Sequence, residues 1–472
     1  MIYNKTKIIC TIGPSSSSIS ILVRLIKSGM DAARLNFSHG THEKHAEYIK
    51  NIRKAAEITK EHIPIIMDIQ GPKIRVGKLK DGYINLKFRD KLYITSKRII
   101  GSGDTISVTY PNFENDVRIN ELILIDDGKI RLQAISKGTK HIECRVINGG
   151  ILKEHKGINL PDTKISLPAL TAKDIKDIKF GVEQKLDFIA LSFVRSVKDI
   201  IKLKKLLERY NYQIPIISKI ERPEAIERID AIINESDAVM VARGDLGIEV
   251  PTEQIPILQK MIISKCNKMR KPVITATQML ESMIENPIPT RAETTDIANA
   301  ILDGTDCVML SGETSAGKYP EKAVKIMDKI IFATEKIKKP VYLDREKIEH
   351  TEDSVLESIC NSVSEISERI NAKAIVTITK TGKSPLMLSA HRPNSQIIAI
   401  THNKELLMRT KIYWGVEPLY ISKSPHIEEN IKKFRKEIFR KGILRRGDKI
   451  ILISNFPFKE TDSANAIQIL KI

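Results

Sequence analysis

Aromatic residues are scarce, at 5% of the 472-residue chain, with a single tryptophan. Grooves that hold nucleic acid without sequence preference stack bases on aromatic side chains. The formal net charge of +19 therefore does not read as a nucleic-acid footprint. The lysines are dispersed and describe solvated faces, with some of the charge left to attract polyanionic substrates. Cysteine is also sparse. Cys10, Cys144, Cys266, Cys307 and Cys360 are odd in number and never form a C-x-x-C pair, which argues against a disulfide framework and a zinc site alike. Cys10 and Cys307 fall inside apolar runs and are expected to be core thiols. No apolar run is long enough to cross a bilayer. Residues 1–10 lack the apolar core and small-residue cleavage site of a secretory leader. The expectation is a cytoplasmic protein with no membrane and no nucleic-acid partner.

What the chain does have is a recurring alternation. Short β-branched, apolar segments at 7–13, 32–38, 64–70, 188–193, 215–221, 238–245, 272–278 and 307–313 read as strands covered on both faces. Helical patterns lie between them, as at 196–210, 252–270 and 320–336. Eight such units predict an α/β fold, a (β/α)8 TIM barrel. The gap between the third and fourth segments is too long for one crossover helix. Its segments at 81–88, 91–96, 122–126 and 141–147 often alternate and are broken by Gly and Asp. They predict a small inserted β-barrel lid domain over the C-terminal face of the main barrel. A helix at 354–370 and strands at 374–379, 397–401 and 449–454 predict a C-terminal α/β domain. The expected division is 1–69 with 168–339 for the barrel, 70–167 for the lid and 340–472 for the C-terminal regulatory domain.

Catalytic groups in such barrels gather at strand C-termini. Those ends carry Arg34, Asn36 and Ser38; Asp68, with Arg75 beyond; Lys219 and Glu221; Arg243, Gly244 and Asp245; Thr277 and Gln278; Ser311 and Glu313. Glu221 and Asp245 end neighbouring strands, and hard oxygen donors that fill only part of a shell suit Mg2+ or Mn2+. Lys219, two residues before Glu221, shares its strand face. Residues 244–247, Gly-Asp-Leu-Gly, are expected to turn with their N–H groups exposed to an anion at a helix start. Metal, lysine and arginines together equip phosphoryl transfer, where catalysis is mostly positioning and charge neutralisation. Residues 312–319 (GETSAGKY) nearly spell a P-loop, but Tyr319 stands where Ser or Thr is needed and the context is a barrel strand. His39 is read as a structural hydrogen-bonding residue rather than a general base. Near the C-terminus, Thr379, Lys380, Thr381, Gly382, Lys383 and Ser384 form either a polar turn or a phosphate nest.

The segments TKIICTIGPSS, ARLNFSHG, DIQGPKIR, KGINLP, LSFVR, SKIERPEAI, VARGDLGIE, TATQMLESM, PTRAE and DGTDCVMLSGETSAGKYP, with TKTGKS later on, resemble the blocks of the pyruvate kinase family, in that family's order and over nearly the whole chain. The resemblance implies a magnesium-dependent glycolytic phosphotransferase that moves the phosphoryl group of phosphoenolpyruvate to ADP, giving pyruvate and ATP. It implies that Glu221 and Asp245 bind Mg2+ (or Mn2+), that Gly244, Asp245 and Thr277 contact the substrate, and that Arg34 holds its phosphate. Lys219 would stabilise the transferring phosphoryl group, and a relay near Thr277 would protonate the enolate. Arg75 and, from the lid, Lys156 would meet the nucleotide phosphates. The loop 379–384 would take a phosphorylated allosteric effector, and the assembly would be a homotetramer.

One departure from the family pattern is informative. Many members hold K+ near positions matching Asn36, Ser38, Asp68 and Ile69, and carry a loop reading D-T-K-G-P-E-I-R-T. Here the loop reads D-I-Q-G-P-K-I-R-V, with Lys73 in place of the glutamate, as in the potassium-independent subgroup. An ammonium group can supply the charge that K+ otherwise gives, so K+ is expected not to be required. Two alternatives remain at this point. A metal-dependent aldolase or lyase on a related phosphoenolpyruvate-type barrel would need neither the lid nor Arg75 and Lys156. A basic RNA-binding scaffold would not need Lys219, Glu221, Asp245 and Thr277 intact.

Overall fold

The computed structural model describes residues 4–337, 354–422, 427–454 and 465–472. Eight parallel strands close into a barrel: Lys7–Thr11, Met30–Asn36, Ile65–Asp68, Phe188–Leu191, Ile216–Ile220, Ala238–Ala242, Val273–Ala276 and Cys307–Leu310. All eight expected segments are present. The first strand meets the eighth in register, from Lys7 opposite Cys307 to Cys10 opposite Leu310. Alternate residues point inward, so Ile9, Ala32, Ile66, Ile217, Ile274 and Met309 fill the barrel, while Ile8, Cys10, Leu35 and Val241 pack under the surrounding helices. Cys10 and Cys307 are fully buried. Ile412 of the C-terminal domain joins the interior cluster, which stoppers the end opposite the catalytic mouth.

The expected helices appear as Val197–Arg209, Ile255–Lys268 behind a 3-10 turn at Thr252–Gln254, and Pro320–Glu335. Ser196 and Asp199 form a capping box that fixes the start of the first of these. The inserted region forms a seven-stranded sheet, ordered Ile74–Arg75, Gly157–Asn159, Leu122–Ile125, Ile130–Lys137, Ile142–Asn148, Lys91–Thr95 and Thr105–Ser107. A bridge between Val76 and Val108 and the Gly77 N–H donating to the Ser107 carbonyl at 2.7 Å draw its two edges together. The sheet therefore curls around its own core of Leu92, Ile106, Ile123, Leu132 and Cys144.

The C-terminal domain has the helix Ser354–Arg369 and a five-stranded sheet, ordered Val416–Tyr420, Gln396–Thr401, Ala374–Ile378, Lys449–Ser454 and Ala466–Lys471, with only the last strand antiparallel. The expected barrel boundary at 339/340 lies outside the described residues. A buried charge cluster ties this domain to the barrel. Glu417 lies 3.2 Å from Lys411 and 2.7 Å from Lys441, which reach Asp31 at 3.7 Å and Glu61 at 3.1 Å.

Candidate active site

The first five barrel strands bring polar side chains into one continuous row at the mouth. Lys219 sits on Ile216–Ile220, whose residues are all buried. Its ammonium lies 2.8 Å from Glu221 Oε1, 3.1 Å from Asp68 Oδ1 and 2.8 Å from Ser192 Oγ. Arg34 Nε donates to the other Asp68 oxygen at 2.7 Å, and Arg34 Nη1 donates to Thr11 Oγ1 at 2.9 Å. Burial alone would discharge Lys219, but Asp68 and Glu221 outweigh it and hold the ammonium above its usual range. Burial likewise opposes the Asp68 charge, and Lys219 and Arg34 overcome it, so that carboxyl stays below its ordinary range.

Glu221 is the exception in this row. Burial pushes its carboxyl up, Lys219 opposes that, and the Asp245 charge adds to the rise. Its Oε2 accepts the Phe193 N–H at 2.7 Å. Its buried Oε1 receives no aligned hydrogen bond, although Lys219 is close. A buried carboxylate oxygen that lacks an aligned hydrogen bond, beside a second carboxylate, suits a hard divalent cation, which would also relieve the repulsion between the two. Among the described residues no group of three or more His, Cys, Asp or Glu could hold a metal ion. Glu221 and Asp245 fit such an ion only as two ligands of a shell completed by substrate oxygens and water.

Asp245 lies in the helix Arg243–Glu249, which starts directly after the sixth strand. The Gly-Asp-Leu-Gly turn expected at 244–247 is therefore helical. Leu246 and Glu249, three residues apart, bury one face, and that burial overrides the low helix propensity of the two glycines. The Gly244 N–H is not left open to an anion either. It donates to Thr277 Oγ1 at 2.8 Å. Glu313 is consumed structurally: its two oxygens accept the N–H groups of Leu280 at 3.0 Å and Ser311 at 2.7 Å.

On the lid side, Arg75 Nη1 donates to the His155 carbonyl at 3.0 Å. Lys156 pairs with Asp126 at 2.8 Å. Burial and the surrounding charges of Arg75, Lys73, Arg34 and Lys173, in that order, hold the His39 imidazole below its ordinary range. Three residues named from sequence, Arg34, Lys73 and Arg75, thus converge around His39. The His39 carbonyl meets His45 Nε2 at 2.9 Å. The Ser38 N–H meets Asn36 Oδ1 at 3.1 Å, and Ile69 is fully buried. A cleft of about 400 Å³ between lid and barrel is lined by Gln70, Lys73, Thr109, Thr171 and Lys173, among others.

Comparison with known proteins identifies the family. A family profile described as "Pyruvate kinase, barrel domain" matches residues 3–324, and one described as "Pyruvate kinase, alpha/beta domain" matches residues 357–470. The chain belongs to the pyruvate kinase family. The pyruvate kinase of Geobacillus stearothermophilus is 45% identical over 471 residues, covering 98% of this chain and 80% of that protein. That of Staphylococcus aureus (strain MRSA252) is 44% identical over 469 residues, with the same coverage. A crystal structure of a pyruvate kinase from Cryptosporidium parvum matches with a TM-score of 0.93 at 40% identity, covering 99% of this chain and 96% of that one.

Two members of the row went unnamed in the sequence reading of this pyruvate kinase site. Thr11 and Ser192 end the first strand and follow the fourth, inside the blocks TKIICTIGPSS and LSFVR. A hydroxyl closing an otherwise apolar strand was the available signal. The loop 379–384 follows Ala374–Ile378 and leads into the helix Lys383–Ala390. Gly382 takes a left-handed φ of 87°, and its N–H donates to Thr379 Oγ1 at 2.9 Å. Lys380, Thr381 and Lys383 are exposed, whereas Thr379 and Ser384 are buried.

Proposed function

We propose that the chain moves the phosphoryl group of phosphoenolpyruvate to ADP, yielding pyruvate and ATP. The observation that carries this reading is the Lys219 ammonium, buried yet kept charged, 2.8 Å from Glu221 and joined through Asp68 to Arg34. Arg34 Nη2 has no hydrogen-bond partner among the described residues and takes the substrate phosphate. Lys219 meets the phosphoryl group in flight. Its fixed contacts with Asp68 and Ser192 spare it any reorganisation as charge develops. Glu221 and Asp245 hold a Mg2+ or Mn2+, which when bound neutralises charge on the reacting oxygens.

The phosphorus–oxygen bond of phosphoenolpyruvate breaks as an ADP oxygen bonds to phosphorus, and the electron pair stays on the enolate. A hydroxyl and water relay at Thr277 then delivers a proton to its carbon. Arg75 and Lys156 bind the nucleotide phosphates, Lys156 by exchanging Asp126 for phosphate. Gly244 orients Thr277 at the substrate's edge.

Lys73 forms no ion pair among the described residues, and its charge reaches His39, just beyond the Asn36–Ser38 contact. It takes the place of K+ there, in the manner of the potassium-independent subgroup. The loop 379–384 receives a phosphorylated effector on Lys380, Thr381 and Lys383. A homotetramer in the cytoplasm completes the reading; no described helix is long and apolar enough to cross a membrane. The lid, with Arg75 and Lys156, is present and the relatives are pyruvate kinases, so the aldolase or lyase alternative is not favoured. A coupled assay for pyruvate tests the main reading. Turnover is expected only with phosphoenolpyruvate, ADP and Mg2+ or Mn2+ all present, and its absence under those conditions would defeat the proposal.

A further inference from the structure

Thr277 is β-branched yet lies in the left-handed region (φ 64°), and Gln278 follows it there (φ 53°). A β-branched residue keeps that conformation only where its surroundings over-determine it. One side chain does most of this. Arg243 is 6% exposed, and its guanidinium donates to three successive carbonyls: Nε to Ala276 at 3.4 Å, and Nη2 to Thr277 at 2.7 Å and Gln278 at 3.2 Å. Its Nη1 is fixed from behind, 2.5 Å from Asp296 Oδ2 and 3.3 Å from Gln259 Oε1. The next residue, Gly244, donates its N–H to the Thr277 hydroxyl. Thr277 is thus gripped at its carbonyl and at its hydroxyl by two consecutive residues. Asp296, on the helix Arg291–Leu302, anchors that grip.

We infer that Arg243 is a positioning residue for the reaction: it sets the Thr277 hydroxyl by templating the left-handed turn at 277–278, with Asp296 as its anchor. This rests on the reading that the chain transfers phosphoryl from phosphoenolpyruvate to ADP. A planar fork is required. Lysine would keep the charge beside Asp296 but cannot span three carbonyls. Without the fork the turn relaxes towards negative φ and carries the hydroxyl with it. Arg34, Asp68 and Lys219 stand on the second, third and fifth strands, away from this turn, so substrate binding survives the change.

The proton step has its own readout. In the reverse direction a methyl C–H bond of pyruvate breaks, the proton passes to the water-linked relay, and the electron pair forms the enolate. Return of a deuteron in D2O labels the methyl group. The test compares wild type, Arg243→Lys and Asp296→Asn. It measures steady-state turnover of phosphoenolpyruvate with ADP, and deuterium entry into pyruvate with ATP and Mg2+ by NMR. Arg243→Lys is expected to lower kcat and methyl exchange each by about 100-fold, and Asp296→Asn by about tenfold, the range set by an ångström-scale displacement of a reacting group. KM for phosphoenolpyruvate should stay within about threefold. Wild-type rates in Arg243→Lys, a loss confined to KM, or losses that merely follow the folded fraction seen by circular dichroism would overturn the inference. Should Arg243→Lys fail to fold, Asp296→Asn decides by the same criteria. A wild type without turnover overturns the functional reading itself. An active wild type with both variants unchanged overturns only this inference.

Discussion

Arg34 and Lys219, three strands apart in the barrel, share one carboxylate: Asp68 Oδ2 lies 2.7 Å from Arg34 Nε, and Asp68 Oδ1 lies 3.1 Å from Lys219 Nζ. The two cations that face the substrate are therefore spaced by a third residue that need not touch it. Asp68→Asn keeps the shape and removes the charge. It should lower kcat/KM for phosphoenolpyruvate by about 100-fold, the scale expected when positioning groups are displaced. The Mg2+ dependence should be left unchanged. Steady-state kinetics with a Mg2+ titration checks both parts, and a shift in Mg2+ affinity with unchanged kcat/KM would contradict the assignment.

Glu221 offers the opposite case. Its Oε1 is met by Lys219 without an aligned hydrogen bond, and the Asp245 charge lies nearby, so the two carboxylates would share in holding a divalent cation. Glu221→Gln should weaken the apparent affinity for Mg2+ at least as much as loss of a supporting contact does, by about 10- to 100-fold. Excess Mg2+ should restore part of the rate. An unchanged activation curve would place the ion elsewhere.

The barrel was legible in the sequence because strands buried on both faces are written as uninterrupted apolar runs. Ile216–Ile220 is one of these. The lid was harder to read. Ile130–Lys137 pairs with both Leu122–Ile125 and Ile142–Asn148, neighbours that local reading did not connect, although its I-R-L-Q-A alternation carried the period of a half-buried strand. Val416–Tyr420 contains Pro418, which lowers any strand expectation and is tolerated because the strand lies at the sheet edge. The carboxylates and lysine of the site could be named from strand ends. The Asp68 bridge and the Arg243 fork could not, because they join residues 151 and 33 to 35 positions apart.

Lys73 tests the monovalent-cation reading. The wild type should turn over in tetramethylammonium buffer free of Na+ and K+. Lys73→Glu should become dependent on K+, with activity restored by about tenfold or more on its addition, since the substitution changes the local charge by two units and a unit charge about 4 Å from another is worth roughly 4 kcal/mol near a protein surface. A wild type that stays silent until K+ is added would contradict the assignment.

Glu417 gives a pH-dependent prediction about the contact between the C-terminal domain and the barrel. Burial would push its carboxyl up, but Lys411, Lys441 and Lys7 outweigh that and hold it well below the carboxylate range. A depressed carboxyl contributes its full stabilisation above its unfolded value of about 4.3 and loses it as pH falls through that value towards the folded one. Glu417→Gln should cost about 3 kcal/mol at pH 7, because it leaves two buried lysines short of a partner. The gap to wild type should narrow below about pH 4. Trp414 is the only tryptophan and lies three residues away, so its fluorescence during urea unfolding reports the transition. A gap that stays constant with pH would contradict the ion cluster.

The central claim is that the Lys219 ammonium, held charged between Asp68 and Glu221, stabilises the phosphoryl group as it moves. Turnover and calorimetric binding of phosphoenolpyruvate should be compared in wild type and Lys219→Met with Mg2+ present. The account predicts that kcat falls by about 1,000-fold or more, as when a preorganised charge donor is removed, while phosphoenolpyruvate still binds. A Lys219→Met enzyme with near-wild-type kcat would contradict it.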